Sequence, residues 1–334
     1  MNRLAPIVAA IGIIASTAIP ALAHQYHGHH GYYHGYRGYG YYSTYYGCYL
    51  NPTCSYYISQ GDAWYDQGNY DQAIANYTQA IANDPHCALA YNQRGAAWYS
   101  KGDFDKAITD ATLAIANNRS DATAYNNRAA AWDAKAEYDK ALVDVNLALA
   151  IEPSYAGAYI SRGAIWYNKG EYDKAIADDN AALAIDPGLA QAYSDRAGAW
   201  NMKGAYDKAK ADFDQAIALD ANNAAFYSDL AFFRATCLDA RFRDGQQAFA
   251  NANKGYQLSN GNAASVSVLA SVYAENGDFS QAITWQQKAL DLTKSPEMQQ
   301  RYLARLELFK QSKPFRLDPK TAMQIPAVVA ASAK

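Results

Sequence analysis

The chain lacks most of what marks a catalytic or nucleic-acid-binding protein. No GxSxG, HExxH or phosphate-loop glycine motif occurs in its 334 residues, so the compact nucleophile, zinc-hydrolase and nucleotide signatures are all missing. Lysine and arginine (29) do not outnumber aspartate and glutamate (32), leaving a net charge of −3. No basic field exists to track phosphates, which excludes nucleic acid as the expected partner. Histidine is scarce outside one short stretch, with His86 standing alone. The four cysteines have no metal-ligand spacing. Beyond residue 23 no apolar run approaches the roughly 20 residues needed to span a bilayer.

What is present falls into distinct segments. Residues 1–23, "MNRLAPIVAAIGIIASTAIPALA", place Arg3 before an apolar run, then Pro20 and the small-residue exit Ala21-Leu22-Ala23. That layout is a secretory signal, with cleavage expected after Ala23 and an exported, periplasmic or secreted product. No stable membrane insertion is expected after its removal. Residues 24–53 form a His/Tyr/Gly-rich low-complexity arm whose glycine density defeats any helical or alternating period. Its His24, His27, His29, His30 and His34 could bind a divalent metal through imidazole nitrogens. They lack the fixed spacing of a structural site. Its tyrosines could instead contact the cell envelope through 24–50.

Export lets disulfides persist. Cys48 and Cys54 flank "YLNPT", where Asn51-Pro52 supplies a turn, so a local bridge between them is expected. Cys87 and Cys237 read as isolated thiols, Cys237 buried.

The rest of the chain is dominated by one repeated phrase. "AWYDQGNYDQAI" at 63–74 returns as "AWYSKGDFDKAI" at 97–108, "AWDAKAEYDKAL" at 131–142, "IWYNKGEYDKAI" at 165–176 and "AWNMKGAYDKAK" at 199–210. Trp64, Trp98, Trp132, Trp166 and Trp200 are therefore 34 apart, as are Ala73, Ala107, Ala141, Ala175 and Ala209. Within one copy Tyr91, Arg94, Gly95 and Trp98 share one helical face, and Phe104, Ala107, Ile108, Ala111, Ala114 and Ile115 form the apolar stripe of a second helix. Gly102-Asp103 is the turn between them, with the aspartate placed to cap the second helix. A single hairpin cannot bury its apolar face alone, and stacked hairpins bury each other's. The phrase is packing, and the tryptophans belong to it as core.

This unit resembles the tetratricopeptide repeat, in which aromatic, small, aromatic, alanine, alanine and proline positions recur through 34 residues. The resemblance implies an all-α, right-handed α-solenoid. On its register five regular units fill 54–223, an irregular sixth with a five-residue insertion near 236–245 fills 224–262, and a seventh fills 263–296. A capping helix over 297–312, with Met298, Tyr302, Leu306 and Phe309 inward, and a loose tail over 313–334 complete the chain.

Arg94, Arg128, Arg162 and Arg196 each stand sixteen residues before an aspartate (110, 144, 178, 212), whereas the first unit has Gln60 and Asn76 and loses both charges together. That covariation points to an ion pair inside each unit. The family resemblance places the first helix of each unit along a concave groove. The side chains left out of packing there are Asn92, Tyr99, Asn126, Asp133, Ile160, Tyr167, Ser194 and Asn201, with small residues between them. Such a surface suits an extended peptide, so the function expected is a non-enzymatic scaffold for a protein or peptide, with no cofactor. The basic residues some relatives use to clamp a terminal carboxylate are missing. The alternative reading is metal binding or envelope adhesion through the arm.

Overall fold

The computed structural model describes residues 51–293 and 295–318. Among these residues it contains fifteen α-helices, one short 3-10 turn and no strand. The helices are α1 (Pro52–Asp66), α2 (Tyr70–Asn83), α3 (Ala88–Ser100), α4 (Phe104–Asn117), α5 (Ala122–Ala134), α6 (Tyr138–Ile151), α7 (Ala156–Asn168), α8 (Tyr172–Ile185), α9 (Ala190–Met202), α10 (Tyr206–Leu219), α11 (Ala224–Thr236), α12 (Gly245–Leu258), α13 (Ala263–Glu275), α14 (Phe279–Leu292) and α15 (Pro296–Lys310). Each odd helix packs on the even helix that follows, and each even helix packs on the next odd one. This is the all-α solenoid that the 34-residue period implies.

Turn chemistry explains the hairpins. Gly102 sits at φ +83°, and the Asp103 amide donates back to the Trp98 carbonyl at 2.9 Å. The Asp103 carboxylate then accepts from the Lys106 amide, capping α4. Glycine fills the same left-handed position in four further turns, but the third unit places Ala136 there at φ +58°. A Cβ is strained in that conformation.

The small residues permit close approach. A Cβ on Gly61 would stand 2.4 Å from the Tyr77 ring. The alanines of the 34-spaced column are all buried. The tryptophans differ from the core role expected of them. All five are half-buried and packed against the core on one side, and the four beyond Trp64 are covered on the other by a second-helix lysine. Lys106, Lys140, Lys174 and Lys208 lie 4.1, 4.6, 4.4 and 4.3 Å from the centroids of Trp98, Trp132, Trp166 and Trp200.

The four ion pairs are formed, and each is bidentate. Arg94 Nε and Nη2 donate to Asp110 at 2.7 and 2.8 Å, and the geometry repeats for Arg128–Asp144, Arg162–Asp178 and Arg196–Asp212. The remaining guanidinium nitrogen reaches into the preceding unit. It meets Thr78 and Thr112 at 3.1 Å, Asn146 at 2.8 Å and Asn180 at 2.6 Å. The carboxylates are buried and the arginines mostly so. A second ladder joins Lys101, Lys135, Lys169 and Lys203 to Asp71, Asp105, Asp139 and Asp173 of the preceding unit.

At the C-terminal end, Met298, Tyr302, Leu306 and Phe309 of α15 are buried against the seventh unit, as its periodicity implies. Eight residues, 237–244, join α11 to α12 where Lys101-Gly102-Asp103 suffices in the second unit. The tail is not loose throughout. Residues 313–318 leave α15 as extended chain and pack against α11, while 319–334 lie outside the described residues.

The cysteine expectations need correction. Cys54 is a free thiol, fully buried with Ile58, Ala80, Cys87 and Ala90, so it is not bridged to Cys48. The reason is local: Asn51 caps α1 by accepting from the Thr53 and Cys54 amides, and Pro52 occupies the first helical position. Asn-Pro begins a helix here and makes no turn. Cys87, expected as an isolated thiol, is engaged in a disulfide whose partner lies outside the described residues. Cys237 is free and buried, and burial pushes its thiol up to about 11.

Two stability measurements test this account. Arg128→Gln should lower stability by about 1–3 kcal/mol, because it strands a buried carboxylate. The double variant Arg128→Gln/Asp144→Asn, which copies the first unit, should recover part of the loss. Additive losses in a thermal-unfolding double-mutant cycle would contradict the pairing. Ala136→Gly should raise stability by a few tenths to about 1 kcal/mol by relieving the left-handed alanine, and a fall in unfolding midpoint would contradict that.

Candidate functional site: the concave face

The first helices α3, α5, α7 and α9 carry the eight groove residues at the same two positions, 34 residues apart. The structure sets them in two columns, one of Asn92, Asn126, Ile160 and Ser194, the other of Tyr99, Asp133, Tyr167 and Asn201. Tyr99 and Tyr167 are half-buried and the other six are buried. An open polar surface was expected, and this face is closer-set than that. The cause is that side chains on adjacent first helices bond to one another at an offset of 35. Asn127 Nδ2 donates to Asn92 Oδ1 at 2.8 Å, Asn168 Nδ2 to the Asp133 carboxylate at 3.1 Å, and Ser194 Oγ to Asp229 Oδ2 at 3.2 Å. Tyr65 and Ser100 make the same rung at 2.9 Å.

One rung is not made. The bond joining Asn92 to Asn127 would, one unit later, join Asn126 to Ser161. Both Asn126 Oδ1 and Ser161 Oγ are buried without a hydrogen-bond partner. In the next unit the rung is impossible, because Ile160 faces the Asp195 position. The middle of the concave face thus carries unsatisfied polar atoms, which cost about 1–3 kcal/mol each when left so.

The aromatic groups are fixed from behind. Tyr99 packs on Phe104 and Tyr167 on Tyr172, with ring centroids 5.3 Å apart in both. Burial holds both phenols far above the usual tyrosine range, reinforced by Asp133 near Tyr99 and by Tyr172 and Asp229 near Tyr167. They are neutral hydrogen-bonding groups at any physiological pH.

Several groove residues escaped the sequence reading. Asp195 and Asp229 sit beside the two columns, and Arg301 of α15 lies in the electrostatic neighbourhood of Tyr167. The signal was available: adding 34 to Ser267 and Ser271 gives Arg301 and Arg305, so α15 continues the groove columns as an eighth first helix. Only its inward face was read.

Asp179 stands just behind this face. Its column holds Tyr77, Ala111, Val145 and Phe213 in the other units, all buried. Asp179 is 1 % exposed and neither carboxylate oxygen has a hydrogen-bond partner. Burial, then the neighbouring Asp195 and Asp178, push its carboxyl well above the ordinary range.

The metal alternative rested on His24, His27, His29, His30 and His34, which lie outside the described residues. Among the described residues the one group with ligand-like spacing is Cys54, Asp84 and Cys87, whose donor atoms lie within 4.8 Å of one another. The Cys87 sulfur is already committed to a disulfide. No helix of the described residues is long and apolar enough to cross a membrane.

Family models for the tetratricopeptide repeat match residues 58–122 and 133–190, and a further one matches 262–295. The chain is similar to a tetratricopeptide repeat protein from Parabacteroides merdae, with 20% identity over 77% of this chain and 99% of that one, TM-score 0.58. It is also similar to a chain of the APC/C hetero-tetramer Cut9–Hcn1, with 15% identity over 78% of this chain and 54% of that one, TM-score 0.59. These likenesses show the fold. A comparison with curated protein sequences finds no match.

The Asp179 environment gives a signed expectation. The folded chain holds this proton more tightly than the unfolded chain does, so stability falls as pH rises from the unfolded carboxyl value through the raised folded one. Asp179→Val, which restores the apolar column, should therefore stabilise the protein at neutral pH. The gain should shrink towards about pH 4. Thermal unfolding of both proteins across that range checks it, and a gain that is flat or grows towards acid would refute it.

Proposed function

We propose that this chain, which belongs to the tetratricopeptide-repeat family, is an exported, non-enzymatic scaffold that holds an extended segment of a protein partner on its concave face. The fold is one consistent with protein–protein interaction. The observation that carries the finer reading is the missing rung. Asn126 Oδ1 is buried without a hydrogen-bond partner, and a turn of its side chain outward would let a peptide N–H in the groove supply its donor. Ser161 Oγ, buried in the same way, can serve as donor or acceptor to the same backbone after the same outward turn. Tyr99 and Tyr167, one on each side along the column, offer apolar area and neutral hydroxyls, and both are held rigid by the rings behind them. Export is supported by the layout of residues 1–23 alone.

The groove should discriminate by backbone and shape more than by charge. Asp133, Asp195 and Asp229 make its middle acidic in composition, which disfavours acidic segments. Catalysis is not part of this reading: the carboxylates of Asp133 and Asp229 that converge here with amide, hydroxyl and phenol groups are taken up in hydrogen bonds between adjacent helices.

Capture of partners from the exported fraction should be reduced at least tenfold by Tyr99→Ala/Asn126→Ala/Tyr167→Ala, and unaffected by deletion of 24–50. If deletion of the arm abolishes capture and the triple variant retains it, the reading is wrong and the arm is the functional element. Titration of Zn²⁺ and Cu²⁺ against both proteins then measures what the arm binds.

A further inference from the structure

The column rule that defines the groove also shows that its far end is occupied. The groove position filled by Ala96, Ala130, Ala164 and Gly198 becomes Phe232 in the sixth unit, where a small residue gives way to a large ring. Phe315, from the extended segment after α15, lies on that ring with centroids 6.0 Å apart. Arg305, buried and bonded to Ser267 Oγ at 3.0 Å, sets its guanidinium over both rings, 4.8 Å from Phe232 and 4.9 Å from Phe315. Arg316 Nη1 donates to the Ala235 carbonyl at 3.1 Å, and its Nη2 pairs with Glu275 at 2.6 Å. The Leu317 amide donates to the Thr236 carbonyl at 3.0 Å, and its side chain joins the cluster of Phe232, Ala235 and Val268.

The inserted loop 237–244 belongs to the same arrangement. Its Arg243 donates to the Cys237 and Leu238 carbonyls at 2.8 and 3.0 Å and pairs with the other Glu275 oxygen at 3.1 Å. Glu275 is thus fixed by the insertion from one side and meets Arg316 on the other. Backbone hydrogen bonding, an aromatic slot, a half-buried carboxylate for arginine and an apolar seat for the next residue are what a peptide site consists of.

We propose that the groove of the sixth and seventh units is a binding site for an extended segment of the pattern aromatic–arginine–aliphatic, and that Phe315-Arg316-Leu317 is its resident ligand. A partner carrying that pattern competes with the chain's own segment, so the far end of the groove is released only to a matching sequence. This rests on the concave face being a peptide-binding surface.

The probe is a fluorescein-labelled peptide of residues 311–318, QSKPFRLD, followed by fluorescence anisotropy against the full chain. Titration runs to about 1 mM, because a tethered segment competes at an effective concentration of that order. Phe315→Ala/Arg316→Ala/Leu317→Ala in the full chain should bind the peptide at least tenfold more tightly than the unaltered protein. Adding Glu275→Gln should take back at least fivefold of that gain. Equal binding by the unaltered and triple-variant proteins, or no binding by either, overturns the proposal. If the triple variant fails to fold by circular dichroism, Arg316→Ala alone should give at least a threefold gain, and no gain overturns it. Hydrogen exchange gives an independent reading: the Leu317 amide should be protected in the unaltered protein and exchange at least tenfold faster in Glu275→Gln. Partner capture through Tyr99, Asn126 and Tyr167 is read in a separate assay, so failure of the mid-groove reading leaves the peptide titration intact, and the reverse also holds.

Discussion

The arginine at the seventh position of units two to five ties the solenoid together. Arg94, Arg128, Arg162 and Arg196 each clamp the second helix of their own unit through two parallel hydrogen bonds and reach the second helix of the preceding unit through a third. Each also lies over the tyrosine three residues before it, 5.2–5.8 Å from the ring centroid. One planar group therefore sets the angle within a hairpin and the angle between hairpins. A leucine there would fill the space but would bind no direction. That is what happens at the C-terminal end, where Leu230 and Leu269 occupy the position and both are buried. The charged clamp belongs to the regular stretch, and it gives way where the insertion and the capping helix change the geometry.

A repeat array makes each position its own control. When a column holds three alanines and a glycine in successive units and then phenylalanine, or a single aspartate among four apolar residues, the exception has to be explained by something outside the repeat. Asp179 disturbs the core behind the groove, Ile160 and Ser161 break the polar rungs on its surface, and Phe232 meets a segment from the far end of the chain. These exceptions all bear on the concave face. The packing columns between helices, Ala73 through Ala209 and Trp64 through Trp200, carry none.

The fold was legible in the sequence because it is written five times, and the ion pairs were legible because the first unit drops both members together. What spacing reports is which column a residue joins. It does not report how near adjacent first helices come, and so the groove residues were identified but their mutual hydrogen bonds and burial were not. The cysteine error had a different origin. Asn-Pro is both a turn and a helix start, and Pro52 decided for the helix because Asn51 could cap it. The segment 313–318 was missed because it has no period of its own. Its only trace was in its receptor, the oversized Phe232 in a column of small residues, together with an insertion that sequence alone left without a purpose.

A solenoid must cover the apolar face of its last unit, and this chain does so in two layers of unequal strength. Helix α15 seals the seventh unit with Met298, Tyr302, Leu306 and Phe309, an apolar contact that no small segment could replace. The segment beyond it contributes one ring, one aliphatic side chain, one ion pair and a few hydrogen bonds, all made from half-buried residues. The first layer is structural because its loss would expose a core. The second covers only one edge of the cluster around Phe232, and Arg305 would still cover that ring if the segment left. That difference separates a cap from a ligand: the same stretch of chain closes the solenoid permanently with its helix and reversibly with its extension.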